Sequence, residues 1–168
     1  MKSVKVSSGF TLVELVVVII LIGILASTAL PRFIELNSEA RLGAAQYSTG
    51  AFVEGVIALR SAWIAKGKPG NLTIDGVNVD FSAAGWPQPT AAGINGCIEI
   101  WQMTFRGAEP IVGYVDGAQP DAWTAFSFGT LCLFIYQYGE AFSGTNQLPF
   151  FLYQPRTTGA FIQKYNMG

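Results

Sequence analysis

Hydrophobic positions divide the chain into an unbroken apolar run, a stretch with helical spacing and a region with alternating spacing. Residues 10–30 are almost all apolar and contain one charged side chain, Glu14. At about 1.5 Å of rise per residue, a helix of about 20 residues crosses a hydrocarbon core of roughly 30 Å. The run therefore predicts a membrane-spanning α-helix that contains an unusual carboxylate.

Helical spacing continues beyond the apolar run, with more polar residues between the apolar ones. Apolar side chains recur every three or four positions and predict one stripe on an amphipathic helix, formed by Phe33, Leu36, Ala40, Ala44, Tyr47, Ala51, Phe52, Val56, Leu59 and Trp63. Gly67 and the Pro69-Gly70 pair predict the end of this helix near Lys66. Pro31 lacks a backbone amide, so we expect a kink where it interrupts the helix.

From Asn71 onward the apolar period changes to two, which predicts strands. Asp75-Gly76 predicts a tight hairpin turn. Further strands are predicted at Cys97–Phe105, Pro110–Val115, Trp123–Phe128, Leu131–Tyr138, Pro149–Gln154 and Gly159–Tyr165. Sequential short strands favour an antiparallel meander. The expected class is α+β, with the sheet burying the stripe that contains Phe52, Val56, Leu59 and Trp63.

A short basic leader precedes the apolar run. Lys2 and Lys5 predict a cytoplasmic N-terminus, with the chain after Leu30 on the other side of the membrane. A cleavable secretory signal peptide is the competing interpretation, because Ser27-Thr28-Ala29 resembles a cleavage site. The length of the apolar run and the carboxylate of Glu14 argue against that interpretation.

Composition narrows the possible functions. Ten basic and eleven acidic residues give a formal net charge of −1, and no basic cluster indicates nucleic-acid binding. The chain has no histidine, the commonest general base. No nucleophile with a base and an orienting group can be assembled. An enzyme and a cofactor are therefore not expected.

Cys97 and Cys132 are the two cysteines of the chain. On the oxidising side of a membrane such a pair favours a disulfide over a metal site. Acidic loops raise the question of calcium, at Asp75, Asn78 and Asp80 or at Asp116 and Asp121. Their spacing lacks the ligand ladder of a calcium loop, and turn formation explains them better. No metal site is expected.

The segment GFTLVEL, followed by PRF, resembles the N-terminus of type IV pilins of the type IVa group and of their pseudopilin relatives. Two further segments, LPRFIELNSEARLGAA and AAGWPQPTAAGINGCIEIW, resemble the mannose-sensitive haemagglutinin (MSHA) pilins, including minor pilins of the MshB kind. The resemblance implies the type IV pilin fold. It also implies cleavage between Gly9 and Phe10 by prepilin peptidase, N-methylation of Phe10, and pairing of Glu14 with the amino terminus of the adjacent subunit during assembly.

The resemblance further implies partners and locations. The partners are other pilin subunits, prepilin peptidase, an assembly platform with its motor ATPase, and the inner membrane. The chain would divide into a leader (1–9), a transmembrane and assembly helix (10–30), an amphipathic helix (31–68) and an antiparallel β head (69–168). The head would be periplasmic before assembly and part of an extracellular pilus used for adhesion afterwards. The alternatives are a pseudopilin of a type II secretion system and a secreted or anchored binding module or enzyme.

Overall fold

The computed structural model describes residues 10–106, 110–114, 122–138, 147–155 and 160–167. The predicted leader, residues 1–9, lies outside the described residues. The chain divides into two compact units, residues 1–40 and 41–168. Helix α1, Leu12–Ala65, contributes to both units, and the sheets belong to the second. The predicted α+β class is confirmed.

The described part of the first unit is the N-terminal part of α1. Its large apolar side chains are exposed, and the helix is long and apolar enough to cross a membrane by length and composition. Pro31 lies inside α1, whose helical assignment runs without a break from Leu12 to Ala65. The expected kink at Pro31 remains a prediction.

In the second unit, one face of α1 packs into the core. Phe52, Val56, Leu59 and Trp63 are buried, which confirms that part of the predicted stripe. Earlier along α1, the buried positions are Ala45, Ser48 and Thr49, whereas Ala44 and Tyr47 are exposed. The single stripe was therefore wrong before Ala51. The cause is local, because the hydroxyls of Ser48 and Thr49 donate to the carbonyls of Ala44 and Ala45 at 3.1 and 2.8 Å and so tolerate burial.

A three-stranded antiparallel sheet follows α1. It comprises β1 (Asn71–Ile74), β2 (Val77–Phe81) and β3 (Pro87–Gln88), in that order. Asp75 and Gly76 connect β1 and β2 with φ of 49° and 83°. Positive φ at both central residues is the signature of a type I′ turn, so the predicted hairpin is confirmed.

Residues Gly93–Phe105 form a helix, α2, and the strand predicted at Cys97–Phe105 was wrong. Apolar residues occupy most positions in this segment, so a period of two fits them as well as a helical period. The buried residues include Gly96, Cys97, Ile100 and Trp101. Their spacings of three and four positions are typical of one face of a helix. Because this face packs against the core, the segment forms a helix and not a strand.

The second sheet contains five strands in the order β4-β5-β6-β7-β8. Their bounds are β4 (Ile111–Gly113), β5 (Ala122–Phe128), β6 (Leu131–Gln137), β7 (Phe150–Pro155) and β8 (Ala160–Tyr165). Strands β5 to β8 form the predicted antiparallel meander, whereas β4 pairs parallel with β5. The antiparallel expectation was wrong for β4 because side-chain alternation is the same in both pairings and carries no information on strand direction.

Phe52 of α1 is the centre of the core. Its ring lies 5.0–6.2 Å from five other aromatic rings, contributed by Trp101, Phe105, Phe134, Phe151 and Tyr153. A disulfide between Cys97 and Cys132 joins α2 to β6, with 5.4 Å between the two Cα atoms. The second unit thus holds α1, α2 and the five-stranded sheet together through aromatic packing and one covalent link.

Candidate functional site

The site of greatest chemical interest lies at the start of α1. The Thr11 amide and the Thr11 hydroxyl each donate to Oε2 of Glu14, both at 2.9 Å. In return, the Glu14 amide donates to the Thr11 hydroxyl at 3.3 Å. This reciprocal arrangement is a capping box, with Thr11 as N-cap and Glu14 at the third helical position. The Glu14 carboxylate therefore accepts hydrogen bonds at the start of α1, where donors have no partner within the helix.

The position of Glu14 also has an electrostatic consequence. A carboxylate in the first turn of a helix is stabilised by the positive end of the helix dipole. The surrounding side chains are exposed and apolar, including Leu12, Val13 and Leu15. In hydrocarbon such a charge costs a few kcal/mol unless it meets a cation. The arrangement can thus hold an ionised carboxylate at the end of an apolar helix and present it to a positive group.

Phe10 lies directly before the capping box and is 84% exposed. If the chain were cut before Phe10, the new amino group would lie four residues from Glu14 in the sequence, with Thr11 between them. Gly9 lies outside the described residues. Cleavage after Gly9 and methylation of Phe10 therefore remain predictions.

The other predicted site residues belong to other parts of the chain. Pro31 is in the same unit, further along α1. Cys97 and Cys132 are in the second unit and are both buried, at 2% and 3% exposure. The disulfide supports the core of the second unit.

The calcium candidates within the described residues, Asp75, Asn78 and Asp80, do not belong to a metal-binding cluster of acidic side chains. Asp75 forms an ion pair with Arg106, which occupies one of its oxygens. Among the described residues, no three or more carboxylates, cysteines or histidines come close enough to hold a metal ion. Asp116 and Asp121 lie outside the described ranges.

Sequence reasoning on charge and hydropathy missed the role of Thr11. The signal was present, because Thr11-Leu12-Val13-Glu14 fits the pattern of a capping box directly before an apolar helix. In the hydropathy pattern Glu14 is an isolated charge, and that pattern does not reveal its partner one turn earlier. The structure shows that the two residues act as a pair.

Comparison with known proteins bears on this segment. Residues 4–30 match the family model of the prokaryotic N-terminal methylation motif. The chain carries this motif. The match covers the capping box and the apolar run, so it concerns the same residues that the geometry singles out.

The chain is also similar to the type IV narrow pilus major component PilA5 of Thermus thermophilus, with 41% identity over 63 residues. The aligned region is 38% of this chain and 53% of the relative, so the chain spans about half the length of the curated relative it matches. No solved structure matches the chain. The relative's name describes a pilus component.

Proposed function

We propose that this chain is a structural subunit of a type IV pilus, anchored in the membrane as a precursor and polymerised through its N-terminal helix. One observation carries the proposal. The methylation motif coincides with an exposed apolar helix whose first turn holds an ionisable carboxylate in a capping box. A helix of this kind is costly in water and is stabilised either by lipid or by other copies of itself.

Processing follows from the same proposal. Prepilin peptidase would cut between Gly9 and Phe10 and the new terminal residue would be N-methylated. The amino group of Phe10 in one subunit would then pair with Glu14 of the next. Such a pair fixes the axial register between apolar helices, because an unpaired charge in the bundle would be costly. Pro31 would allow the helix to bend where it leaves the membrane.

The finer assignment is an adhesive pilus of MSHA type, supported by the sequence segments that resemble those pilins. Before assembly, the N-terminus would be cytoplasmic and the β head periplasmic. The chain has no phosphate-binding loop, so a separate motor ATPase and an assembly platform would move subunits from the inner membrane into the filament.

The test is fractionation of the bacterium that expresses the chain. A pilus subunit is recovered as filaments in sheared surface material, and deletion of the prepilin peptidase abolishes that recovery and leaves a heavier precursor in the membrane. Recovery of a processed chain in the envelope alone, with no sheared filaments, would instead identify a pseudopilin of a type II secretion system. A chain whose mass is unaffected by loss of the peptidase would refute both assignments.

A further inference from the structure

The second half of α1 presents an apolar face that the second unit does not cover. We call it the outward stripe, and its members are Tyr47, Glu54, Ile57, Ala58, Ser61 and Ile64, all of them exposed. Tyr47, Ile57 and Ile64 are 77%, 45% and 47% exposed. Within the six-member stripe, spacings of three, four and seven residues keep the side chains on one side of the helix. A stripe of this kind is suited to packing against another helix.

Glu54 is the one charged residue among the exposed positions between residues 43 and 65 of α1. Seven residues, about two turns, separate it from Tyr47, so it lies within the stripe and not at its edge. Its neighbours at three and four residues' distance are Gly50, Ala51, Ile57 and Ala58, none of which is charged. Glu54 therefore has no helical partner of opposite charge.

Packing the outward stripe would remove the Glu54 carboxylate from water. Leaving a buried charge without a partner costs several kcal/mol, whereas a cation on the opposing surface removes most of that penalty. A charge at the centre of an apolar stripe therefore selects an opposing surface that carries a matching cation.

Several cations of the second unit are already engaged within the chain. Arg41 lies 5.3 Å from the ring centre of Tyr138. Arg60 lies 4.6 Å from the ring centre of Trp86 and donates to the Ala84 carbonyl. Arg106 is paired with Asp75.

Four described cations remain without a partner in the described ranges, namely Arg32, Lys66, Lys68 and Lys164. Lys66 and Lys68 follow the end of α1, and Lys164 lies on β8. Arg32 alone lies on α1, at an exposed position next to the exposed side chain of Phe33. Arg41 and Arg60 also lie on α1 but are engaged within the chain, so Arg32 is the cation of α1 that is left for a contact between helices.

We propose that the outward stripe packs against α1 of a second copy of this chain and that Glu54 pairs there with Arg32 of that copy. This inference rests on the proposed filament function and assigns a contact within it that is separate from Glu14. The pair would favour one relative placement of neighbouring copies over others, because only that placement neutralises both charges.

Charge reversal and rescue test the pair in the full chain, expressed as the sole copy in its own bacterium. Glu54→Arg and Arg32→Glu are each expected to lower the yield of sheared filaments about tenfold or more, and the double reversal is expected to restore it to within about threefold. Glu39→Arg, an exposed acid on the same helix outside the stripe, serves as the matched control and is expected to assemble normally. Subunit amounts in the membrane fraction normalise every yield.

A second measurement does not depend on whether the filament tolerates reversed charges. Both native cysteines are in the disulfide, so Glu54→Cys combined with Arg32→Cys adds the only free thiols. Mild oxidation of filaments should give a ladder of linked subunits, which Glu39→Cys with Arg32→Cys should not give. Normal assembly of both single reversals, or filaments without a ladder, would overturn the pairing. Wild-type chain that forms no filament would refute the proposed function itself, which separates the two failures.

Discussion

Substitution of Glu14 by glutamine separates its two possible contributions, the helix cap and the charge. Glutamine at the third helical position still accepts a hydrogen bond from the Thr11 amide, so the capping box survives. Thr11→Val does the reverse, because it removes the hydroxyl that bonds to Glu14 in both directions and leaves the carboxylate ionisable. The two variants therefore remove one contribution each.

The expected magnitudes differ enough to be resolved. Loss of an N-cap costs about 0.5–2 kcal/mol, which changes an equilibrium roughly two- to thirtyfold. Loss of one partner of a buried ion pair costs about 3–5 kcal/mol, which corresponds to roughly a hundredfold or more. We expect Glu14→Gln to lower the yield of sheared filaments by at least roughly a hundredfold and Thr11→Val to lower it by much less.

The assay is the ratio of sheared filament to membrane-bound subunit, quantified for both variants and for wild type. The membrane pool controls for insertion and turnover. If Glu14→Gln assembled as well as wild type while Thr11→Val did not, Glu14 would act as a cap alone, and pairing with the amino group of a neighbouring Phe10 would be refuted.

Three further predictions concern the second unit, each measured on the full chain in detergent. Replacing Cys97 and Cys132 together by serine should lower the unfolding free energy by about 3–4 kcal/mol, because the disulfide spans 35 residues of sequence; an unchanged denaturant midpoint would refute this. Gly55→Ala should destabilise by about 1–3 kcal/mol since its Cβ overlaps the Thr104 side chain, whereas Gly50→Ala, with open space around it, should stabilise by up to about 1 kcal/mol; equal effects in thermal unfolding would contradict the close α1–α2 packing. Burial raises the pKa of the Tyr153 hydroxyl, which donates to the Pro87 carbonyl at 2.6 Å, so the stability it contributes is fully present below about pH 10 and falls as the pH rises further; Tyr153→Phe should reduce this alkaline loss, and identical pH profiles would count against it.

Hydrophobic pattern predicted the long helix, the first hairpin and the meander from β5 to β8, because each has one dominant period bounded by strong turn residues. Two details failed for physical reasons. Segment Gly93–Phe105 is apolar at so many positions that its period is ambiguous, and packing against Phe52 selected the helix. Strand β4 pairs parallel with β5, and side-chain alternation is the same in parallel and antiparallel strands.

The candidate site was also predicted only in part from the sequence. Glu14 was identifiable because a carboxylate in an apolar run is costly wherever it lies. Its hydrogen bond with Thr11 follows from capping geometry, which a hydropathy pattern does not represent. The buried faces of Ser48 and Thr49 were missed because their hydroxyls bond to their own helix, which a hydropathy pattern does not represent.

Mass spectrometry of the N-terminal peptide, from chain recovered in sheared surface material, tests the central proposal most directly. The account predicts a mature chain that starts at Phe10 and carries one N-methyl group. A mature start near Leu30, or an intact Met1 in the assembled material, would contradict it.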